Sequence, residues 1–210
     1  MRNLTVAVVM LAVLCGGCAM GVKHKYDHQE LSLAASSALT VEVGVVDQRP
    51  YVMTNQSSPT FVGVSRGGFG NPFNVNTESG QPLAIDIGND IVTSLQASGV
   101  KAKLMEVTPM IEPAEIQQKL IKSGADRAVL LTLREWQADT YMKVYLHYNV
   151  RLDVFNREGQ TLATSQRSGE DNLGDGGFDP PSHSREVIPV AFKKIMAELF
   201  HDPTVAAALK

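Results

Sequence analysis

From Met142 to Val154 every second residue is apolar. Met142, Val144, Leu146, Tyr148, Val150, Leu152 and Val154 interleave with Lys143, Tyr145, His147, Asn149, Arg151 and Asp153. Strand side chains point alternately to two faces, so this period predicts a long strand with one dry and one wet face. Such a strand suits an antiparallel sheet covered on one side. Ala128 to Leu133 is a continuous apolar run of strand length before it. Asn156-Arg157-Glu158-Gly159-Gln160 reads as the hairpin turn after it, with Thr161 to Arg167 returning. Leu39, Val41, Val43 and Val45 alternate with Thr40, Glu42 and Gly44, predicting an opening strand that stops at Asp47-Gln48-Arg49-Pro50. Thr60 to Val64 and Val100 to Val107 read as shorter strands. Arg66 to Phe73, crowded with glycine, reads as a loop.

Three segments carry helical spacing instead. Leu83, Ile87, Ile91 and Leu95 recur every fourth residue between Pro82 and Gly99, residues that suit a helix start and stop. Pro113 opens a second helix striped by Ile116, Leu120 and Ile121 and ended by Gly124. After a loop over Asp171 to Pro181, a last helix carries Ile188, Phe192, Ile195, Met196, Leu199 and Phe200. Pro189 leaves its start open by a turn, and Pro203 begins a short helical turn to Leu209. The expected fold class is α+β, a mainly antiparallel sheet with helices packed on one face. Length favours a single domain over residues 39–210.

The N-terminus changes the picture. Arg2 precedes an uncharged, mostly apolar run, Leu4 to Leu14, which closes on Cys15-Gly16-Gly17-Cys18. That run is shorter than the ~20 residues needed to span a bilayer and suits an export signal over residues 1–17. The small residues before Cys18 resemble the lipobox of bacterial lipoproteins, although Cys15 stands where leucine is usual. The resemblance implies lipidation of Cys18. In enterobacterial lipoproteins a residue such as Ala19, in place of aspartate, implies sorting to the outer membrane with the body facing the periplasm. Residues 18–38, rich in Lys, His, Asp, Ser and Ala, then read as a flexible tether. His24 and His28 have helical metal-ligand spacing, but no third ligand accompanies them, so no metal is expected.

Cys15 and Cys18 are the two cysteines in the chain, so the body has neither disulfide nor thiol chemistry. Net charge is −3 with both signs mixed, which leaves no nucleic-acid footprint. Gly63-Val64-Ser65-Arg66-Gly67 spells the nucleophile-elbow pattern of a serine hydrolase, but that motif works on a strand-to-helix turn and glycines follow here. Asp171, Asp175 and Asp179 lack the ligand order of a calcium loop. No catalytic residue, metal or cofactor is therefore expected, and Arg66, Phe69 and Phe73 stand as candidate partner contacts on a loop. Trp136 and Tyr141 flank an expected turn at Gln137 to Thr140 and read as core-edge aromatics, with an interface as the alternative.

Asp47-Gln48-Arg49 after the first strand, the helix at 82–98, Tyr148-Asn149-Val150 and Asp202-Pro203-Thr204-Val205 together resemble the YajG-like envelope lipoproteins. That family has no assigned enzymatic activity, so the resemblance implies a non-catalytic scaffold or interaction domain with an envelope protein partner. The alternatives are a periplasmic accessory lipoprotein of a lipid or solute transport system, which would bind an apolar ligand between helices and sheet, and a serine hydrolase.

Overall fold

The computed structural model describes residues 21–33, 35, 39–105 and 113–210. Among them eight strands form one mixed sheet that curls into a half-barrel. The strands are β1 (Lys23–His24), β2 (Thr40–Asp47), β3 (Phe61–Arg66), β4 (Pro72–Thr77), β5 (Lys101–Met105), β6 (Arg127–Thr140), β7 (Lys143–Asn156) and β8 (Thr161–Asp175). The helices are α1 (Pro50–Met53), α2 (Leu83–Ala97), α3 (Pro113–Lys122), α4 (Pro180–Phe200) and α5 (Pro203–Ala208).

Strand β6 organises the sheet. Its first half pairs in parallel with β2, Val41↔Arg127 through Asp47↔Leu133. Its second half pairs in parallel with β3, Gly63↔Ala138 through Ser65↔Thr140. The other edge of β6 runs antiparallel to β7 along its length, with a register shift between Leu133 and Glu135, and β7 pairs antiparallel with β8. Beyond β2 lies β5, parallel, while β4 is antiparallel to β3 and parallel to β1.

The α+β expectation, a mainly antiparallel sheet with helices on one face, is therefore corrected on both counts. After β2 come α1 and the β3–β4 hairpin, then α2 leads into β5, and α3 leads from β5 into β6. Helical crossovers return the chain in its starting direction, which makes these pairings parallel. The helices also occupy both faces. Val41, Val43, Val45, Val129, Leu131 and Leu133 pack against α2 and α4 in the main core. Val46, Ala128 and Leu130 point the other way, onto Ile116 and Leu120 of α3. Gly44 leaves room there, since a Cβ on it would stand 3.1 Å from Leu120 Cδ1. An apolar run without alternation, such as Ala128 to Leu133, is the mark of a strand covered on both faces.

The tether expectation is corrected as well. Val22, His24, Tyr26, Leu31, Leu33 and Ala35 are buried, and β1 joins the sheet edge beside β4. Residues 21–33 are thus a strap packed on the body. The burial alternates along Val22-Lys23-His24-Lys25-Tyr26, a strand period masked by its charged outward residues. Three boundaries also move. Gln137 to Thr140 belongs to β6, the strand after the hairpin runs on through Asp175, and α4 starts at Pro180 with Pro189 inside it.

Candidate functional site

The strap is held by a buried aromatic cluster. Trp136 Nε1 donates to Tyr26 Oη at 2.9 Å. Trp136, Tyr26 and Phe192 of α4 meet edge to face, with ring centroids 5.5–6.0 Å apart. Burial pushes the Tyr26 hydroxyl far above its ordinary range. Two residues earlier, His24 Nε2 lies 3.2 Å from Ser184 Oγ, which donates its own proton to Pro181 O. The imidazole must then carry its proton on Nε2, and Nδ1 has no partner among the described residues. Burial first, and the Arg185 charge second, lower the His24 pKa to about 3. It stays neutral.

Between the strap and α2 lies an open cavity of about 1000 Å³. Its walls include Asp27, Leu31, Ser79, Asp86, Asp90 and Ser94. The α2 side chains spend their polar groups on the strap and its surroundings. Asp90 Oδ2 accepts from Gln29 N at 2.9 Å, Ser94 Oγ from Leu31 N at 3.1 Å, and Asp86 Oδ2 from Ser79 Oγ at 2.6 Å. Burial raises the Asp90 pKa to about 6, against the backbone hydrogen bonds and with help from the Asp27 and Asp86 charges. The dry face of the sheet is filled by side chains, so this groove lies elsewhere than between helices and sheet.

Three turns gather at one end of the sheet. The β3–β4 loop, residues 67–71, is brought to the β6–β7 turn at 141–142 by the Ser65↔Thr140 register. The Arg66–Asp139 ion pair, 2.7 Å, fastens the two. The β8–α4 loop joins them through Gly176 N, which donates to Met142 O at 2.9 Å. Each turn carries exposed apolar side chains: Phe69 is 92% exposed, Met142 66% and Tyr141 44%, and Phe178 is fully exposed. Leu162 and Val190, the other large exposed apolar residues described, lie on the far part of β8 and on α4.

The sequence candidates separate accordingly. Cys18 and Ala19 lie outside the described residues. Phe69 stands at the tip of its loop, Arg66 is spent on Asp139, and Phe73 is half-buried on β4 opposite Ser65. Ser65 is buried inside β3, its hydroxyl without a partner among the described residues, so it is not on a strand-to-helix turn. Asp171 and Asp175 belong to β8, whereas Asp179 caps α4 through Ser182 N. Among the described residues no group of three His, Cys, Asp or Glu is placed to hold a metal. Trp136 is core, while Tyr141 is partly exposed. Met142, read as part of the dry stripe, is a turn residue, and Phe178 carried no signal of its own. Asp47-Gln48-Arg49 proves to be architectural. Arg49, fully buried, forks onto Asp47 at 2.8 and 2.6 Å and donates to the Phe61 and Pro59 carbonyls.

No family model and no curated protein matches the chain. Solved structures do. A Xanthomonas campestris protein of the DUF330 family superposes with a TM-score of 0.55 at 8% identity, over 88% of this chain and 96% of that one. That likeness establishes a shared fold. Lower in similarity are the PelC dodecamer from Paraburkholderia phytofirmans (TM-score 0.38, 11% identity, 79% and 90% covered) and the lipoprotein GNA1162 from Neisseria meningitidis (0.30, 11%, 75% and 97%). Among the described residues no helix is long and apolar enough to cross a membrane.

Proposed function

We propose that this chain is an envelope lipoprotein, anchored through acyl chains on Cys18 in the outer membrane, whose body serves as a non-catalytic scaffold or interaction domain in the periplasm. The observation that carries this reading is Cys15-Gly16-Gly17-Cys18 closing a short apolar run, five residues before a strand of the folded sheet. Two or more acyl chains hold a protein stably at a bilayer, at ~0.8 kcal/mol per buried methylene. The resemblance to YajG-like lipoproteins agrees with it. Metabolic labelling with an alkyne fatty acid tests the anchor: the wild type takes the label and Cys18→Ala does not. Equal labelling of both overturns it. The outer-membrane destination is tested by Ala19→Asp, expected to move the protein to the inner-membrane fraction on a density gradient.

A second reading, an accessory lipoprotein of a lipid or solute transport system, has the cavity beside α2 in its favour. Its walls mix Leu31 and Leu33 with carboxylates, which suits a ligand carrying both apolar and cationic groups. Native mass spectrometry of protein purified from its own membranes, showing a bound small molecule lost in a Ser94→Trp variant, would support that reading. An empty groove in the wild type would remove it.

A further inference from the structure

We infer that the end of the sheet carrying Phe69, Tyr141, Met142 and Phe178 is a membrane-contact face, which seats those side chains in the interfacial layer of the bilayer that holds the anchor. The inference rests on the lipidation of Cys18 proposed above and adds an orientation to it. Two observations meet in it.

The first is where the chain enters the fold. Strand β1 is parallel to β4, with Lys23↔Asn76, and β4 begins at Pro72, beside the Phe69 loop. Going backwards from Lys23 the chain therefore heads for that loop. Cys18 precedes Lys23 by five residues, a leash of at most about 18 Å when fully extended. Lys23 lies level with Asn76 and Phe61, and Gly63, two residues on, lies level with Ala138. That leaves about 15 Å of strand to the turn at 141–142 and about 30 Å to the hairpin at 157–160. Even at full extension the leash falls short of the second, while its maximum length covers the first. Because the strap is packed from Val22 onward, it contributes no further slack.

The second is the chemistry of that end. Three turns, far apart in sequence, each raise apolar or aromatic side chains into solvent at the same place. Aromatic rings with a polar edge favour the headgroup layer, and turns with exposed backbone groups belong at that depth, short of the hydrocarbon centre. Several charges nearby have partners. Arg66 pairs with Asp139, Lys143 stands across from Asp175, Asp175 accepts from Gly177 N, and Asp179 accepts from Ser182 N. Among the described residues the face carries no basic cluster that would select anionic lipids, so apolar insertion drives its contact.

The chain offers a clean test, because the body after Cys18 contains no cysteine. Phe69→Cys, Phe178→Cys and, at the opposite end, Leu162→Cys are labelled with an environment-sensitive fluorophore in the lipidated, full-length mature protein. The protein is then reconstituted into phosphatidylcholine vesicles. The expected result is blue-shifted emission and quenching by spin-labelled lipid at 69 and 178, neither at 162, unchanged when phosphatidylglycerol is added. Water-like emission at 69 and 178 in protein that pellets with the vesicles overturns the membrane face and leaves the anchor standing. Shielding from soluble quencher without quenching from lipid also overturns it, and assigns the face to a protein partner or a second copy. Mass spectrometry of the N-terminal peptide before reconstitution decides the anchor separately: an unmodified Cys18 removes the reading on which this one rests.

Discussion

Arg49 is a guanidinium sealed from solvent, and what surrounds it explains why it is tolerated there. Asp47 meets it with two hydrogen bonds, and carbonyls from Pro59, Phe61 and Trp136 take the remaining donors. One side chain thus ties the end of β2 to the start of β3 and to β6. Removing one partner of a buried pair leaves an uncompensated charge, at about 3–5 kcal/mol. Asp47→Ala is expected to lower the unfolding free energy by that amount, read as a fall in the urea midpoint at an unchanged m-value. His24 and Asp90 make opposite contributions to the pH dependence. The native state refuses the proton that unfolded His24 binds between about 3 and its ordinary value, so its share of stability is complete above that value and falls as pH drops. The native state keeps the proton that unfolded Asp90 releases below about 6, so stability falls as pH rises toward 6. Each slope approaches about 1.4 kcal/mol per pH unit. Urea midpoints between pH 4 and 6 should climb more steeply with pH in Asp90→Asn than in wild type, and less steeply in His24→Gln. Unchanged slopes in both variants would refute the assignment.

At the scale of elements, β6 is shared by two parallel neighbours on one edge, and this division depends on close approach at Gly63. Its φ is +154°, and a Cβ placed there would stand within 3 Å of Ala138 backbone atoms. Backbone cannot yield as a flexible side chain can. Gly63→Ala is expected to separate β3 from β6 and lower the thermal midpoint by several degrees, while Gly68→Ala, with open space around it, leaves it unchanged. The strap is the other decisive element. Tyr26 fills the slot between Trp136 and Phe192, and truncating a buried aromatic costs about 3–5 kcal/mol. Tyr26→Phe keeps the ring and orphans Trp136 Nε1, a loss of about 1–3 kcal/mol. The order of the two variants, Ala below Phe, is what chemical denaturation should return.

For the whole molecule, the strap replaces an expected loose connection with packed chain from Val22 onward, so the proposed anchor at Cys18 would hold the body on a short leash. Under the lipidation of Cys18 proposed above, Lys23 stays within about 18 Å of the anchor, and the proposed orientation directs the 157–160 hairpin away from the bilayer. Trypsin added to the outside of reconstituted vesicles should therefore cut at Arg157 before it cuts at Lys143. Thiol titration of the denatured mature protein gives an independent check on the anchor. With Cys15 removed and Cys18 acylated, no free thiol should appear.

Several elements were legible along the chain, because burial imposes its period locally. The α2 stripe, the long β7 alternation and the three Pro-led helix starts followed from spacing alone. Pairing did not. Whether β2 meets its neighbours parallel or antiparallel, which face α3 covers and where the strap lies depend on segments far apart in sequence, and no local pattern encodes the partner. The helices that precede β5 and β6 are consistent with parallel pairing, whereas the period of β7 reports only its own antiparallel neighbourhood. The candidate face divides the same way. Phe69 could be picked out on its glycine loop, whereas its company with Tyr141, Met142 and Phe178 exists because three strand registers end at one level, which the hydrogen-bonded sheet alone decides.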